Sequence, residues 1–378
     1  MNDSAKLKIV RAATLGTSLN TFCEGLLKEL TDEGYEVVAL SSPDGELDEL
    51  SKREGVRTIG VHMERRISPW KDLVSLMKII QVLKREKPDM VHSMTPKAGL
   101  LCMMAARWVG VPIRVHTFTG LVWPTATGLS RRILMMTDKL TCACATHIIP
   151  EGEGVKMDLQ RSITQKPMKV LGYGNVRGID LDYWRRTAKK EEGQPFTFVF
   201  VGRIVRDKGM NELVSAFVRL HKECTDTRLV LVGRFEDTLD PVFPETKRLI
   251  ESSDSIEAVG EQKDVRPFYE QSDVLVFPSY REGFPNVVIE AGAMGLPCIV
   301  TDINGSREII ENGKNGVIVP PHDEQALYNA MRWMMEHSDG RKAMAENARP
   351  MVASRYEQGF VRQCLKDYYK EICSDQNI

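Results

Sequence analysis

The sequence lacks any apolar run long enough to cross a membrane. Its longest candidate, "AGLLCMMAARWVGVP", falls short of the ~18–20 residues a span needs and contains Arg107. It also lacks an excess of either charge. A formal net charge of -1 excludes bulk electrostatic attraction to nucleic acid, so no nucleic-acid partner is expected. The opening "MNDSAKLKIVRAATLG" has no apolar core of a secretory signal, and a cytoplasmic chain is expected. Paired cysteine spacing is missing too. Of eight cysteines, Cys142 and Cys144 are the one close pair, with no second pair or H-x3-H to complete a zinc site. Reduced, buried thiols are expected instead. No P-loop with its Gly-Lys-Ser/Thr ending is present. "LGYGNVRG" places its third glycine one residue late for a dinucleotide fingerprint, and the "IDLDYW" that follows does not read as a phosphate-binding helix. Asp180 and Asp182 form a D-x-D of the kind that can hold a metal. Directly after that glycine loop, it reads as local structure.

What is present is an alternation. In the first half "KIVRAAT", "EVVALSS", "RTIGVH", "DMVHSM", "IRVHTF" and "THIIP" read as strands. In the second, "FTFVFVG", "RLVLVG", "SIEAVG", "VLVFPS", "PCIVTD" and "NGVIVP" repeat the rhythm. Helical patterns lie between them, so the chain predicts parallel sheets covered on both faces. The expected organisation is α/β: two Rossmann-like, doubly wound domains facing a cleft. They span residues 1–186 and 196–354, joined by a charged linker at 187–195. A C-terminal helix, 355–378, is expected to pack back on the first domain, and the helical tail is expected to break near Gly340 and Pro350. The stretch "RRISPWKDLVSLMKIIQVLKREKP" is basic and amphipathic. Such a segment can lie in a lipid interface, but a core-facing helix has the same pattern and is the stronger expectation.

Ligands of doubly wound sheets bind at the carboxyl ends of strands. There "VGRIVRDKG" supplies Gly202, Arg203 and Lys208, two cations suited to a diphosphate. "REGFPNVVIEA" supplies Glu282, Gly283, Phe284, Pro285 and Asn286 before and at a helix start, and Glu290 one turn inside it. Free helix N–H groups take phosphate oxygens, whereas carboxylates repel phosphate and instead accept bonds from vicinal hydroxyls. The expected division gives the helix end to the diphosphate and the glutamates to the sugars on either side.

These segments, with "LVLVG" and the run "AVGEQKDVRPFYEQSDVLVFPSYREGFPNVVIEAGAMGLPCIVTDINGSREII", closely resemble the retaining glycosyltransferases of family 4, of GT-B fold. The resemblance implies that Arg203 and Lys208 bind the donor diphosphate and stabilise its leaving charge with no metal or other cofactor. It implies that Glu282 contacts the donor sugar, with backbone from Gly283 to Asn286 nearby. Glu290 would hold the ribose, and the base would lie near Val259 and Gly260. The first half resembles bacterial enzymes that build capsule, exopolysaccharide or lipid-linked oligosaccharide. That implies a nucleotide-sugar donor, UDP-linked, a lipid-diphosphate-linked saccharide acceptor and peripheral contact with the inner membrane. A nucleotide-sugar 2-epimerase of the same fold, or a non-catalytic sugar-nucleotide binder, is the alternative. Acceptor-side candidates are Gly16, Thr95, Lys97, Thr119 and Gly120. Many members carry Gly-Gly where this chain has Gly16 alone, and His-Gly where it has Thr119-Gly120. His116, three residues earlier on a strand, is expected to point to the opposite face from position 119.

Overall fold

The computed structural model describes residues 6–188, 190–238 and 240–376. Residues 1–5 of the expected first domain, Lys189 of the expected linker, Leu239 and the last two residues lie outside the described residues.

The chain forms two compact units, one running to Gly178 and resuming at Gly359, the other spanning Ile179–Gln358. All twelve strands read from the sequence are present. In the first unit they are β1 (Lys8–Ala12), β2 (Glu36–Ser41), β3 (Arg57–Gly60), β4 (Met90–Met94), β5 (Ile113–Phe118) and β6 (His147–Pro150). They form one parallel sheet in the order β3-β2-β1-β4-β5-β6. Alternate residues of a strand face opposite ways, and the two faces of this sheet build separate cores. Val10, Val38 and Val91 pack with the helices Pro69–Glu86 and Pro96–Val109. Ile9, Val37 and Met90 pack with the helix Leu26–Asp32 and with Leu365, Tyr369 and Ile372 of the last helix, Gln358–Ser374. Arg362 and Lys366 of that helix pair with Glu29, at 2.6 and 3.2 Å, at its rim.

The second unit holds β7 (Phe196–Val201), β8 (Thr227–Val232), β9 (Ile256–Gly260), β10 (Val274–Phe277), β11 (Cys298–Thr301) and β12 (Gly316–Val319). Their order is β12-β11-β10-β7-β8-β9, again parallel. The core is aromatic at its centre, where Phe200 and Phe277 stack 5.9 Å apart.

Three local expectations are revised. The chain crosses between units at Gly178–Ile179, ahead of residues 187–195. The Ile179 amide bonds the Tyr356 carbonyl at 2.8 Å, buried Trp184 packs beside Tyr269, and Thr187 bonds Glu270 through amide and hydroxyl. A charged stretch marked a surface there, not a boundary. The tail breaks at His337 and Glu357, while Gly340 and Pro350 lie inside the helix Ser338–Tyr356. Gly340 sits in the first turn, where backbone N–H groups have no intrahelical partner in any case. Finally, the helix Pro69–Glu86 has two apolar stripes. Ile79, Ile80, Val82 and Leu83 enter the core, but Trp70, Leu73, Val74 and Met77, at i, i+3, i+4 and i+7, lie on the surface, Trp70 82% exposed.

Candidate active site

Strand order locates the site in the second unit. The chain runs outward from β7 through β8 and β9, then returns to lay β10 on the other side of β7. Connections diverge at this pair, which leaves a crevice outside its carboxyl ends. The loop after β7 carries Gly202, Arg203 and Lys208, and the loop after β10 carries Glu282 to Pro285. Lys208 closes a 3-10 turn, Arg206–Lys208. It is followed by Gly209 at φ 70, where a Cβ would stand 2.1 Å from the Pro278 carbonyl oxygen. Only glycine permits that approach, which brings the two loops together. The Tyr280 amide then bonds the Asp207 carbonyl at 2.8 Å, and the Arg281 Nε donates to Asp207 Oδ2 at 3.1 Å.

Within this frame the Lys208 ammonium pairs with Glu282 Oε1 and lies 5.1 Å from the Phe277 ring centroid. Ser279 Oγ donates to the same carboxylate oxygen at 2.8 Å. Arg203, half exposed, reaches Glu236 Oε2 at 3.4 Å. Pro285 caps the helix Asn286–Ala293, and Glu290 is buried in it. Glu290 also raises the Tyr269 hydroxyl pKa, second to burial itself. The Phe284 side chain is buried and packs edge-on against Tyr356 at 5.4 Å, so only its backbone is available at the loop. Gly202, Gly233 and Gly260 tie the ends of β7, β8 and β9 together: the Gly202 amide bonds Val232, and that of Gly233 bonds Gly260, both at 2.9 Å. Val259 and Gly260 are half-buried at that edge. Asp180 Oδ1 accepts from the amides of Asp182 and Tyr183 at 2.9 and 3.0 Å, the geometry of a turn cap.

In the first unit the corresponding divergence lies between β1 and β4. Thr14 Oγ1 and Thr95 Oγ1 meet there at 2.8 Å. Thr95, Thr119 and Gly120 share a pocket with His116, Trp123 and Asp138. Gly16 and Lys97 are engaged elsewhere. The Gly16 amide bonds Asp44 at 3.3 Å; the Lys97 ammonium pairs with Asp72 and bonds the Arg66 carbonyl at 3.1 Å, bracing two helices. His116 is 1% exposed and bonds Ser93 Oγ at 2.9 Å. It nonetheless borders the same pocket as Thr119, because β5 ends at Phe118 and the alternation stops there.

The family model for glycosyl transferases group 1 matches residues 195–337, and that for a glycosyl transferase 4-like domain matches residues 18–174. The chain is 30% identical over 371 residues to the capsular polysaccharide biosynthesis glycosyltransferase CapM of Staphylococcus aureus, covering 96% of each. The chain belongs to the family 4 glycosyltransferases. It is also 30% identical, over 71% of each chain, to an Escherichia coli enzyme named UDP-Gal:alpha-D-GlcNAc-diphosphoundecaprenol alpha-1,3-galactosyltransferase. The crystal structure of Anabaena HepE in complex with UDP superposes with a TM-score of 0.79 at 16% identity, covering 97% of this chain and 100% of that one. The likeness confirms the GT-B fold.

In this glycosyltransferase the sequence located both loops of the second unit. It missed the partners that hold them, Glu236 for Arg203 and Ser279 for Glu282. It also missed Trp123 and Asp138 in the first. "WPTATGLSRRILMMTDKL" reads as a loop and an ordinary amphipathic helix, with no local signal that its tryptophan and aspartate meet.

Proposed function

We propose that this glycosyltransferase transfers a hexose or N-acetylhexosamine from a UDP-sugar to a lipid-diphosphate-linked saccharide, retaining anomeric configuration and using no metal. One observation carries the donor side: Lys208 and Glu282 paired at the β7/β10 switch point. Until the donor arrives, each charge satisfies the other. A diphosphate would draw Lys208 and Arg203 to its oxygens, and Glu282 would then accept hydroxyls of the donor sugar. Glu290, inside the adjoining helix, suits the ribose. As the bond from the anomeric carbon to the phosphate oxygen breaks, the two cations stabilise the charge left on the diphosphate. The acceptor oxygen bonds the same face of that carbon, and its proton passes to the departing phosphate oxygen.

A UDP-linked donor is supported by the named substrate of the Escherichia coli relative and the ligand of HepE. A lipid-linked acceptor is supported by that relative, and contact with a membrane surface by the exposed stripe Trp70, Leu73, Val74 and Met77 beside Arg65, Arg66, Lys71 and Lys78. Apolar groups flanked by exposed cations fit an anionic lipid interface. Among the described residues no helix is long and apolar enough to cross one.

The test is purified protein with a panel of nucleotide sugars and farnesyl-diphosphate-linked N-acetylglucosamine, read as nucleotide release, product mass and anomeric NMR couplings. Transfer from a UDP-sugar with retention, unaffected by a chelator, is expected. Isomerised donor without acceptor consumption, or transfer that needs added manganese, would refute the reading. Flotation with anionic liposomes, lost at high salt or in Trp70→Ser, tests the membrane contact.

A further inference from the structure

The pocket beyond β5 contains an unsatisfied donor. Trp123 is 4% exposed, and its indole N–H has no hydrogen-bond partner. A buried donor left unpaired is costly, so such a group at a pocket wall marks the place of an oxygen from outside the protein. Asp138, on the helix Gly128–Cys144, lines the same pocket and faces the indole. Burial raises its carboxyl to about 7, against the pull of the Trp123 N–H. Asp138 is thus the acceptor that the indole feels, yet no hydrogen bond of good geometry closes between them. The Arg131 guanidinium lies 5.8 Å from the Trp123 ring centroid and backs the indole in place. The remaining wall is neutral, with Thr95, Thr119 and Val122 among it. The room inside this pocket is small, on the scale of one water-sized group.

A donor and an acceptor on the wall of one small pocket define what fits between them. A phosphate oxygen would meet a carboxylate, and an ammonium would meet an N–H. A hydroxyl suits both, because it accepts with a lone pair and donates with its proton. We propose that Trp123 and Asp138 hold one hydroxyl of the acceptor saccharide, the indole N–H donating to its oxygen and its proton donated to the carboxylate. The site rests on the transferase reading and adds to it: acceptor choice depends on a hydroxyl at one ring position. A site built to bond a hydroxyl rejects the analogue lacking it far more strongly than an apolar pocket rejects a size change.

The experiment uses the full-length enzyme, farnesyl-diphosphate-linked N-acetylglucosamine and its 3-, 4- and 6-deoxy analogues. Trp123→Phe and Asp138→Leu should each raise the acceptor KM tenfold or more and leave UDP affinity, measured by calorimetry, unchanged. One deoxy probe should lose a similar factor against the parent enzyme and little more against either variant. Should a variant fail to fold, the parent enzyme labelled with 15N-tryptophan gives the answer: the Trp123 indole signal should move with the acceptor probe and stay still with one deoxy form. Parent-like acceptor KM in both variants, or a Trp123 signal unmoved by saturating probe, would mean the gap holds only water and would overturn the site. Nucleotide release that never depends on acceptor in the parent enzyme would instead count against the transferase reading, which the UDP titration and the indole signal address separately.

Discussion

The two units share a six-stranded parallel sheet with its divergence in the same place, yet they bury different chemistry. Among the described residues of the second unit, Glu290 is the one charged residue that is buried, and Phe198, Phe200, Phe217 and Phe277 fill the centre. Arg203, Lys208 and Glu282 stand at the rim, on the loops after β7 and β10. The first unit carries polar groups into the sheet itself. Arg11 is 2% exposed; it bonds the Tyr369 hydroxyl at 2.7 Å, Cys23 Sγ at 3.3 Å and the His92 ring. Burial first, then Arg11, holds His92 neutral. Burial likewise pushes His116 down to about 3. One scaffold thus serves two tasks. A dry aromatic core underlies the charged rim of one sheet, while the other sheet trades apolar packing for an internal hydrogen-bond network around Arg11 and His92.

The sharpest way to separate the units is to remove the rim charges of the second. Arg203→Ala or Lys208→Ala should lower turnover about 10²–10³-fold, by analogy with loss of one donor to a developing oxyanion. Melting of Arg203→Ala should hardly change, because Arg203 is half exposed and its pair with Glu236 is a surface contact. Single-turnover transfer measured beside UDP affinity checks this. A Lys208→Ala enzyme with parent turnover would place charge stabilisation elsewhere.

Acid should act on the first unit and spare the second. The His116 pKa is about 3 in the fold against ~6.5 unfolded. The native state therefore binds fewer protons below pH 6.5, and stability is lost as pH falls from there toward 3. At pH 5 that amounts to about 2 kcal/mol, or roughly 30-fold in opening equilibrium. His92 adds in the same direction. Asp138 runs the other way: its carboxyl is raised to about 7, so the native state gains a proton as pH falls and by pH 5 about 2 kcal/mol is returned, which leaves the His92 share as the net loss. Hydrogen exchange corrected for intrinsic rates should show β4 and β5 amides losing protection between pH 7 and 5 while β7 and β10 hold. Equal loss in both sheets would break the comparison.

Within the second unit the two glutamates differ in setting, and their effects should differ too. Glu290 is buried in a helix, whereas Glu282 sits on the loop and is already paired with Lys208 and Ser279. A charge-assisted hydrogen bond contributes about 1.5–3 kcal/mol, so Glu290→Ala should weaken UDP tenfold or more. Glu282→Ala should leave UDP affinity within a few fold and lower turnover instead. Calorimetric titration with bare UDP decides between them, and equal losses would end the division of labour.

The parts of this site legible in the sequence were those made by neighbours along the chain. Glu282 and Glu290 flank one helix start, and Arg203 and Lys208 one loop, so local spacing suffices. All twelve strands were legible for the same reason, each being a short apolar run bounded by turn residues. Strand order was not, because the placement of β10 beside β7 is decided by packing between segments far apart. The same holds for the Lys208–Glu282 pair, 74 residues apart, and for Trp123 with Asp138, where a helix must fold back over a loop before either side chain looks unusual. The Ile179 crossing stayed hidden because what fixes it, the bond to Tyr356 and the Arg349 bonds to the Leu181 and Trp184 carbonyls, comes from the far end of the chain.

The smallest expected effect concerns His116, the imidazole bordering the pocket beyond β5. A true general base contributes ~10²–10⁴. The His116 environment does not suit one. A base works best with a pKa near the operating pH, and burial holds this one near 3. Its Nδ1 is engaged with Ser93 Oγ, its ring lies edge-on to Phe118 at 4.5 Å, and its far edge stands where any Cβ on Gly99 would strike it. Those contacts describe a wedge between the strand and the helix Pro96–Val109. Retention needs no side-chain base if the departing phosphate oxygen takes the acceptor proton. His116→Ala should therefore keep transfer within about tenfold of the parent enzyme, while the cavity it leaves costs about 2–4 kcal/mol of stability, by the scale of large-to-small core changes. Turnover at 25 °C, UDP affinity and a melting curve on the same preparation separate the two effects. A folded His116→Ala enzyme that binds UDP normally and loses a thousandfold in turnover would make the imidazole catalytic. The proton would then leave through the first unit and not through the diphosphate.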